Sequence, residues 1–272
     1  MPVERTTRLI PVSDGAGDQV VMALADLGSD GTPLVFVHGL GGAATVEYAG
    51  VASHPSLAER RCLLIDLIGS GESGRGSPAS FSYSIEDQAA CLGQCLDALE
   101  LEQIVLFGHS MGGSAALSLA ALNPGRVAGL ILAEANLDPG GGPWSRAIAD
   151  QPEAQFAAAG FPELLNTAVE DRNPWSHTLP LSSPVALHRE AVSLVRGTAP
   201  TWRQILYALA CPRACLFGSR SLPDPDFDEL RRHGIATLAV PEAGHNLAWD
   251  NPEALASVIV SCLTWVDAHR PA

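Results

Sequence analysis

The sequence predicts an α/β fold: an eight-stranded, mostly parallel sheet with helices on both faces and an inserted helical cap. Three observations carry this expectation. Short apolar runs without polar alternation recur along the chain, with helical spacing between them, as befits strands buried on both faces. Several of these runs stop abruptly at Gly-rich turns. One long stretch, residues 137–210, contains no strand-like run.

Taken in order, two alternating segments at 6–12 and 19–27 flank the turn-rich Ser13-Asp14-Gly15-Ala16-Gly17 and read as an antiparallel hairpin. The run Leu34-Val35-Phe36-Val37 reads as the third strand and stops at His38-Gly39. Cys62-Leu63-Leu64-Ile65 reads as the fourth, ending at Asp66 ahead of the Gly/Ser-rich 69–76. Residues 84–99 carry Ile85, Ala89, Leu92, Leu96 and Leu99 at helical spacing. Ile104-Val105-Leu106-Phe107 is the next strand, followed by Gly108-His109-Ser110-Met111-Gly112-Gly113 and a helix to about 122. Strands are expected at 127–133, 214–217 and 235–240, and a last helix at 252–268 has Pro252 in its first turn, where the missing N–H costs nothing.

The break in this rhythm divides the chain into a core, 1–136 with 211–272, and a helical cap, 137–210. The cap holds Trp144, Phe156, Phe161, Trp175 and Trp202, each as suited to the cap's own core as to lining a ligand.

Composition removes several chemistries. With 30 acidic and 16 basic residues the chain carries a formal charge of −14, and every basic residue is Arg. Without lysine there is no Schiff-base or PLP site and no G-x-x-x-x-G-K-[ST] phosphate loop. An acidic chain is a poor partner for nucleic acid or an anionic membrane. The start, Met1-Pro2-Val3-Glu4-Arg5, lacks a signal-peptide pattern, and no run reaches the ~18 apolar residues of a membrane span. A cytoplasmic protein is therefore expected. Its six cysteines (62, 91, 95, 211, 215, 262) then read as thiols rather than disulfides or zinc ligands. No cofactor and no metal are expected. The partner is a small-molecule substrate, and a homo-oligomer is left open.

The chemistry gathers at the turns. Gly108-His109-Ser110-Met111-Gly112 is G-x-S-x-G between a strand and a helix, a turn that lifts the serine hydroxyl out of the sheet as a nucleophile. The helix that follows aims free N–H groups at the place where an oxyanion would form. His38-Gly39-Leu40-Gly41-Gly42 lets a second backbone N–H, that of Leu40, stand beside that of Met111. Of eight histidines, His38 and His109 are embedded in turn motifs, and His54, His177, His188, His233 and His269 lie in loops, the cap or the C-terminus. His245, in Gly244-His245-Asn246 between the last strand and last helix, remains as the base.

With these pieces the sequence resembles the α/β-hydrolase fold superfamily, specifically its serine hydrolases. His38-Gly39, Asp66-Leu67-Ile68-Gly69-Ser70-Gly71, Gly108–Gly112 and Gly244-His245 stand in the family's order after the third, fourth, fifth and eighth strands. The resemblance implies Ser110 as nucleophile, His245 as base, and an acid beside them. Most of the family carry Asp after the seventh strand; here that strand runs Leu216-Phe217-Gly218-Ser219-Arg220-Ser221, and Ser221 cannot balance an imidazolium. A minority place the acid after the sixth strand, which points to Glu134, within about 3.2 Å of His245 Nδ1. Asp224, in the Pro-rich turn beyond, is the alternative.

The expected function is hydrolysis of a carboxylic ester or lactone of a small, uncharged, moderately apolar compound through an acyl-enzyme on Ser110. C–C, amide or thioester hydrolysis on the same triad is the alternative. A non-catalytic receptor on the same fold is a third reading.

Overall fold

Eight strands form one sheet in this computed structural model, which describes residues 5–14, 17–28 and 31–269. They are β1 (Arg5–Ser13), β2 (Gln19–Leu27), β3 (Leu34–Val37), β4 (Cys62–Ile65), β5 (Ile104–His109), β6 (Val127–Ala133), β7 (Arg213–Gly218) and β8 (Ala236–Val240). Their order across the sheet is β1-β2-β4-β3-β5-β6-β7-β8. β2 runs antiparallel to both β1 and β4, and every pair from β4 to β8 is parallel. The β1–β2 pairing is the expected hairpin; positions 15 and 16 of its turn lie outside the described residues.

The unalternating strands are buried on both sides, and each divides its residues between two apolar layers. Val35, Val37, Leu63, Ile65, Leu106, Leu130 and Leu132 face one layer. Their neighbours Leu34, Phe36, Leu64, Val105, Phe107 and Ile131 face the other. Helices α1 (Ile85–Ala98) and α2 (Met111–Leu122) supply the first layer, and the C-terminal helix (Pro252–Ala268) the second. Local chemistry starts these helices. Ser84 accepts the Asp87 N–H at 3.1 Å, and Asn251 accepts that of Ala254 at 3.0 Å, each satisfying a donor that the first turn leaves open.

Between β6 and β7 the chain forms only helices, among them α3 (Pro143–Ala149), α4 (Phe161–Glu170), α5 (Pro184–Arg196) and α6 (Trp202–Ala208). The aromatics of this insertion separate into three fates. Phe156 and Phe161 join Ile148, Leu179 and Leu187 in a core of the insertion's own. Trp202 is fully buried in the main core, its indole N–H donating to Ser118 Oγ at 3.0 Å. Trp144 and Trp175 line a cavity above the sheet.

The Pro-rich stretch around Asp224, which reads as a turn, opens helix α7 (Pro225–Arg232). Asp224 caps it, accepting the Asp226 N–H at 2.8 Å, and Pro225 occupies its first position. Asp-Pro is a helix-starting pair as well as a turn pair, and the apolar Phe227 and Leu230 decide in favour of the helix. The closing helix is then α8 (Pro252–Ala268).

Candidate active site

The parallel strands β3, β5, β6, β7 and β8 all end at one edge of the sheet, where such folds place their ligands. Ser110 stands between the last residue of β5 and the first of α2, with φ of 51°, a left-handed backbone that a non-Gly residue adopts only under constraint. The constraint is steric. A Cβ on Gly108 would lie 2.5 Å from the Gly112 carbonyl oxygen, and one on Gly112 would lie 2.4 Å from those of Val37 and His38. Only glycines let the turn close this tightly. The Ser110 N–H donates to the Ala133 carbonyl at 2.9 Å, which ties the turn to β6.

His245 follows β8 and brings Nε2 to 3.2 Å from Ser110 Oγ. Its loop is held from two sides: Gly244 N–H donates to Asp250 at 2.7 Å, and His109 Nε2 donates to the His245 carbonyl at 2.8 Å. Burial, with the neighbouring His245, pushes the pKa of His109 down to about 3, so its ring is neutral and serves as a fixed strut. His38 is neutral for the same reason and joins two loops: Nδ1 donates to Gly39 O at 2.8 Å while Nε2 accepts the Leu67 N–H at 3.0 Å.

Glu134, just past β6, also has a left-handed φ, of 47°. Its Oε1 accepts the Gly218 N–H at the end of β7 at 2.8 Å, and its Oε2 faces His245 Nδ1 at 3.8 Å. That is longer than the expected 3.2 Å and beyond hydrogen-bond distance. Burial by itself would raise its pKa. The His245 imidazole, the Gly218 N–H and the Ser221 hydroxyl outweigh burial and hold it below the ordinary carboxylate value. The alternative, Asp224, is engaged as the cap of α7.

For the two expected oxyanion donors, Met111 opens α2, whose first N–H groups have no intrahelical acceptor. Leu40 follows Gly39, where a Cβ would come within 3.2 Å of Ser110 Cβ, so this loop passes directly beside Ser110. Asp66 holds its turn together, accepting the Thr45 N–H at 3.0 Å, the Thr45 hydroxyl at 2.8 Å and the Glu72 N–H at 3.0 Å.

Four features were not read from the sequence. Asn136 stands with Oδ1 3.4 Å from Ser110 Oγ, and its place two residues after Glu134 was the available signal. Ser221, which cannot replace an acid, instead contributes a hydroxyl that lowers the pKa of Glu134. Glu47 has a side chain only 7% exposed, with Oε1 3.6 Å from His109 Nδ1, and burial pushes its carboxyl up to about 7. Trp175 donates its indole N–H to the Leu40 carbonyl at 2.9 Å.

Above Ser110 and His245 lies a cavity of about 340 Å³ walled by Trp144, Trp175, Trp249 and Leu194, with Asn136 and Asn173 as polar points. No arginine is among the described residues that line it.

The serine at a strand-to-helix turn, with the histidine and the carboxylate at neighbouring strand ends, thus lies beneath a cavity walled largely by tryptophans. The family model described as alpha/beta hydrolase fold matches residues 32–208, and the chain belongs to that family. Among curated relatives it is 38% identical over 110 residues to a 2-hydroxy-6-oxo-2,4-heptadienoate hydrolase of Pseudomonas putida, covering 40% of this chain and 39% of that protein. It is 42% identical over 106 residues to the dihydrolipoyllysine-residue acetyltransferase component of an acetoin cleaving system, also of Pseudomonas putida. That match covers 39% of this chain and 27% of the relative, so the chain spans well under half the length of either relative. Among solved structures, an esterase from Thermogutta terrifontis superposes with a TM-score of 0.74 at 24% identity, covering 95% of this chain and 99% of that one. An N-acyl homoserine lactonase gives 0.75 at 19% identity, covering 98% and 100%.

Proposed function

We propose that the chain is a serine hydrolase that cleaves a carboxylic ester or lactone of a small, uncharged, moderately apolar compound. The observation that carries this reading is the 3.2 Å approach of His245 Nε2 to Ser110 Oγ beneath the cavity. In this reading Ser110 attacks the acyl carbon and His245 takes its proton, later passing it to the leaving group. Glu134 holds the imidazole in the tautomer with a proton on Nδ1 and stabilises it when charged. The N–H groups of Leu40 and Met111 receive the oxyanion, where one well-placed donor is worth about 3 kcal/mol. Residues 137–210 act as the cap over a core made of 1–136 and 211–272.

The similarity to a 2-hydroxy-6-oxo-2,4-heptadienoate hydrolase favours a second reading, hydrolysis of a C–C bond in a keto acid. Such a substrate carries a carboxylate, and the described lining of the cavity offers no arginine to receive it. That supports the ester or lactone reading over the keto-acid one.

The test is turnover of short p-nitrophenyl esters together with labelling by a fluorophosphonate. The wild-type chain should turn over the esters and be labelled at Ser110, and Ser110→Ala should abolish labelling and lower kcat by roughly 10³–10⁶-fold. Absence of both in the folded wild type would overturn the reading.

A further inference from the structure

We propose that Trp175 is a positioning residue for the oxyanion-binding loop, and that docking of the helical insertion supplies the second of two anchors that direct the Leu40 N–H. This rests on the reading of Ser110 as nucleophile and of Leu40 as an oxyanion donor.

The sequence Gly39-Leu40-Gly41-Gly42 surrounds the donor with residues that have almost no conformational preference of their own. Such a loop can pass close to a nucleophile, and its local restraints gather on the Gly39 carbonyl, which accepts the Gly42 N–H at 3.0 Å and the His38 Nδ1–H at 2.8 Å and shares a peptide plane with the Leu40 N–H.

The remaining restraint arrives from 135 residues away. The Trp175 indole N–H donates to the Leu40 carbonyl at 2.9 Å. The same ring lies flat against Gly41: with φ of +65°, that glycine would place a Cβ 2.5 Å from Trp175 Nε1 and 2.8 Å from Cε2. The Leu40 side chain and Trp175 both pack against the insertion's apolar cluster of Phe156, Phe161 and Leu179. Trp175 is itself fixed on two further sides. Its backbone N–H donates to Asn173 Oδ1 at 3.0 Å, and Trp144 meets its ring nearly edge-on, with centroids 5.7 Å apart.

The two polar groups of Leu40 therefore face different masters. The carbonyl is held by the insertion, and the N–H is left for the substrate. The Leu40 N–H lies in the peptide plane held through the Gly39 carbonyl and the Leu40 carbonyl lies in the next, so with Trp175 in place both planes flanking the Leu40 Cα are anchored, and an ordered insertion helps present an ordered donor. Preorganisation of this kind separates a donor that lowers the barrier from one that merely binds water.

The test compares Trp175→Phe with wild type, because phenylalanine keeps a ring against Gly41 and removes only the N–H. Expected are a melting temperature close to wild type, KM for a p-nitrophenyl ester within about twofold, and kcat lowered by about tenfold, a fraction of the loss for deleting a whole donor. Amide hydrogen exchange at residues 39–42 should accelerate by a similar factor. Gly41→Ala, which drives a methyl group into the indole, should reproduce the kcat loss if Trp175→Phe fails to fold. Unchanged kcat and unchanged exchange would overturn the proposal, as would a rise in KM with kcat intact, which would make Trp175 only a wall. If wild type is neither labelled nor active, the hydrolase reading falls, and the exchange comparison still decides whether Trp175 orders the loop.

Discussion

Glu134 illustrates how a single residue satisfies two demands. As the proposed triad acid, its carboxylate has to remain charged in a largely buried place and to hold a histidine that belongs to another loop. Giving Oε1 to the Gly218 N–H meets the first demand, and turning Oε2 toward His245 meets the second. We expect Glu134→Gln to lower kcat by roughly 10²–10⁴-fold, since the amide leaves the imidazole unstabilised and free to take the wrong tautomer. Asp224→Asn, which disturbs only the start of α7, should keep kcat within about threefold and lower stability by about 1 kcal/mol or less. Steady-state kinetics on the two variants decide the assignment, and a larger kcat loss in Asp224→Asn would reverse it. At this scale, what could be read from the sequence is what is local in the chain. Ser110 and His245 sit in turns whose neighbours explain them. Glu134 is an acidic residue closing an apolar strand, a costly arrangement for an idle group. Asn136, Glu47 and the Ser221 hydroxyl take their meaning from contacts that no spacing encodes.

Elements whose identity follows from periodicity match the sequence closely: β2, β3, β4, β6 and the C-terminal helix begin and end at the expected residues. The exceptions have physical causes. α7 was hidden by the two prolines around its cap, and the helices of the insertion are too short and too interrupted for a period to declare itself. One contact between elements carries a consequence for pH. On α5, Glu190 is buried against α1, where Gln88 Nε2 donates to its Oε1 at 2.7 Å. Burial, only partly offset by that bond, pushes its carboxyl from 4.5 up to about 8. Across that window the folded chain retains a proton that the unfolded chain has lost, so this site's contribution to stability falls as pH rises. Glu190→Gln should therefore raise the melting temperature at pH 8.5 by ~2–8 °C and change it little near pH 4. Thermal unfolding of both proteins across this range is the measurement, and equal pH slopes would refute the assignment.

Over the whole molecule, the sheet divides the labour. Its two apolar layers are legible as alternation within unbroken hydrophobic runs, and its C-terminal edge collects every group of the candidate site. No such logic governs the insertion, where Phe156 turns to the insertion's own core, Trp202 to the main core and Trp175 to the cavity. Their shared aromatic character gave no means of telling their destinations apart. The surplus of acid is likewise uninformative as a total, because the few carboxylates that matter are distinguished by burial and partners rather than by number.

The bond between Glu134 and the end of β7 means that the acid's seat is a location shared by two strands. The carboxylate comes up from β6 to the Gly218 N–H at the end of β7, and Ser221, three residues further on, contributes a hydroxyl that lowers its pKa. The charge therefore has a short distance to travel if the strands exchange roles. Exchanging the pair, Glu134→Ser with Ser221→Asp, should regain about tenfold or more of the kcat lost in Glu134→Ser alone, a non-additivity expected of residues in contact. Failure of the exchanged pair to exceed the single variant would mean that the seat belongs to β6 alone. Success would make the address of a catalytic acid a coordinate in space, which a lineage could keep while its sequence position moves.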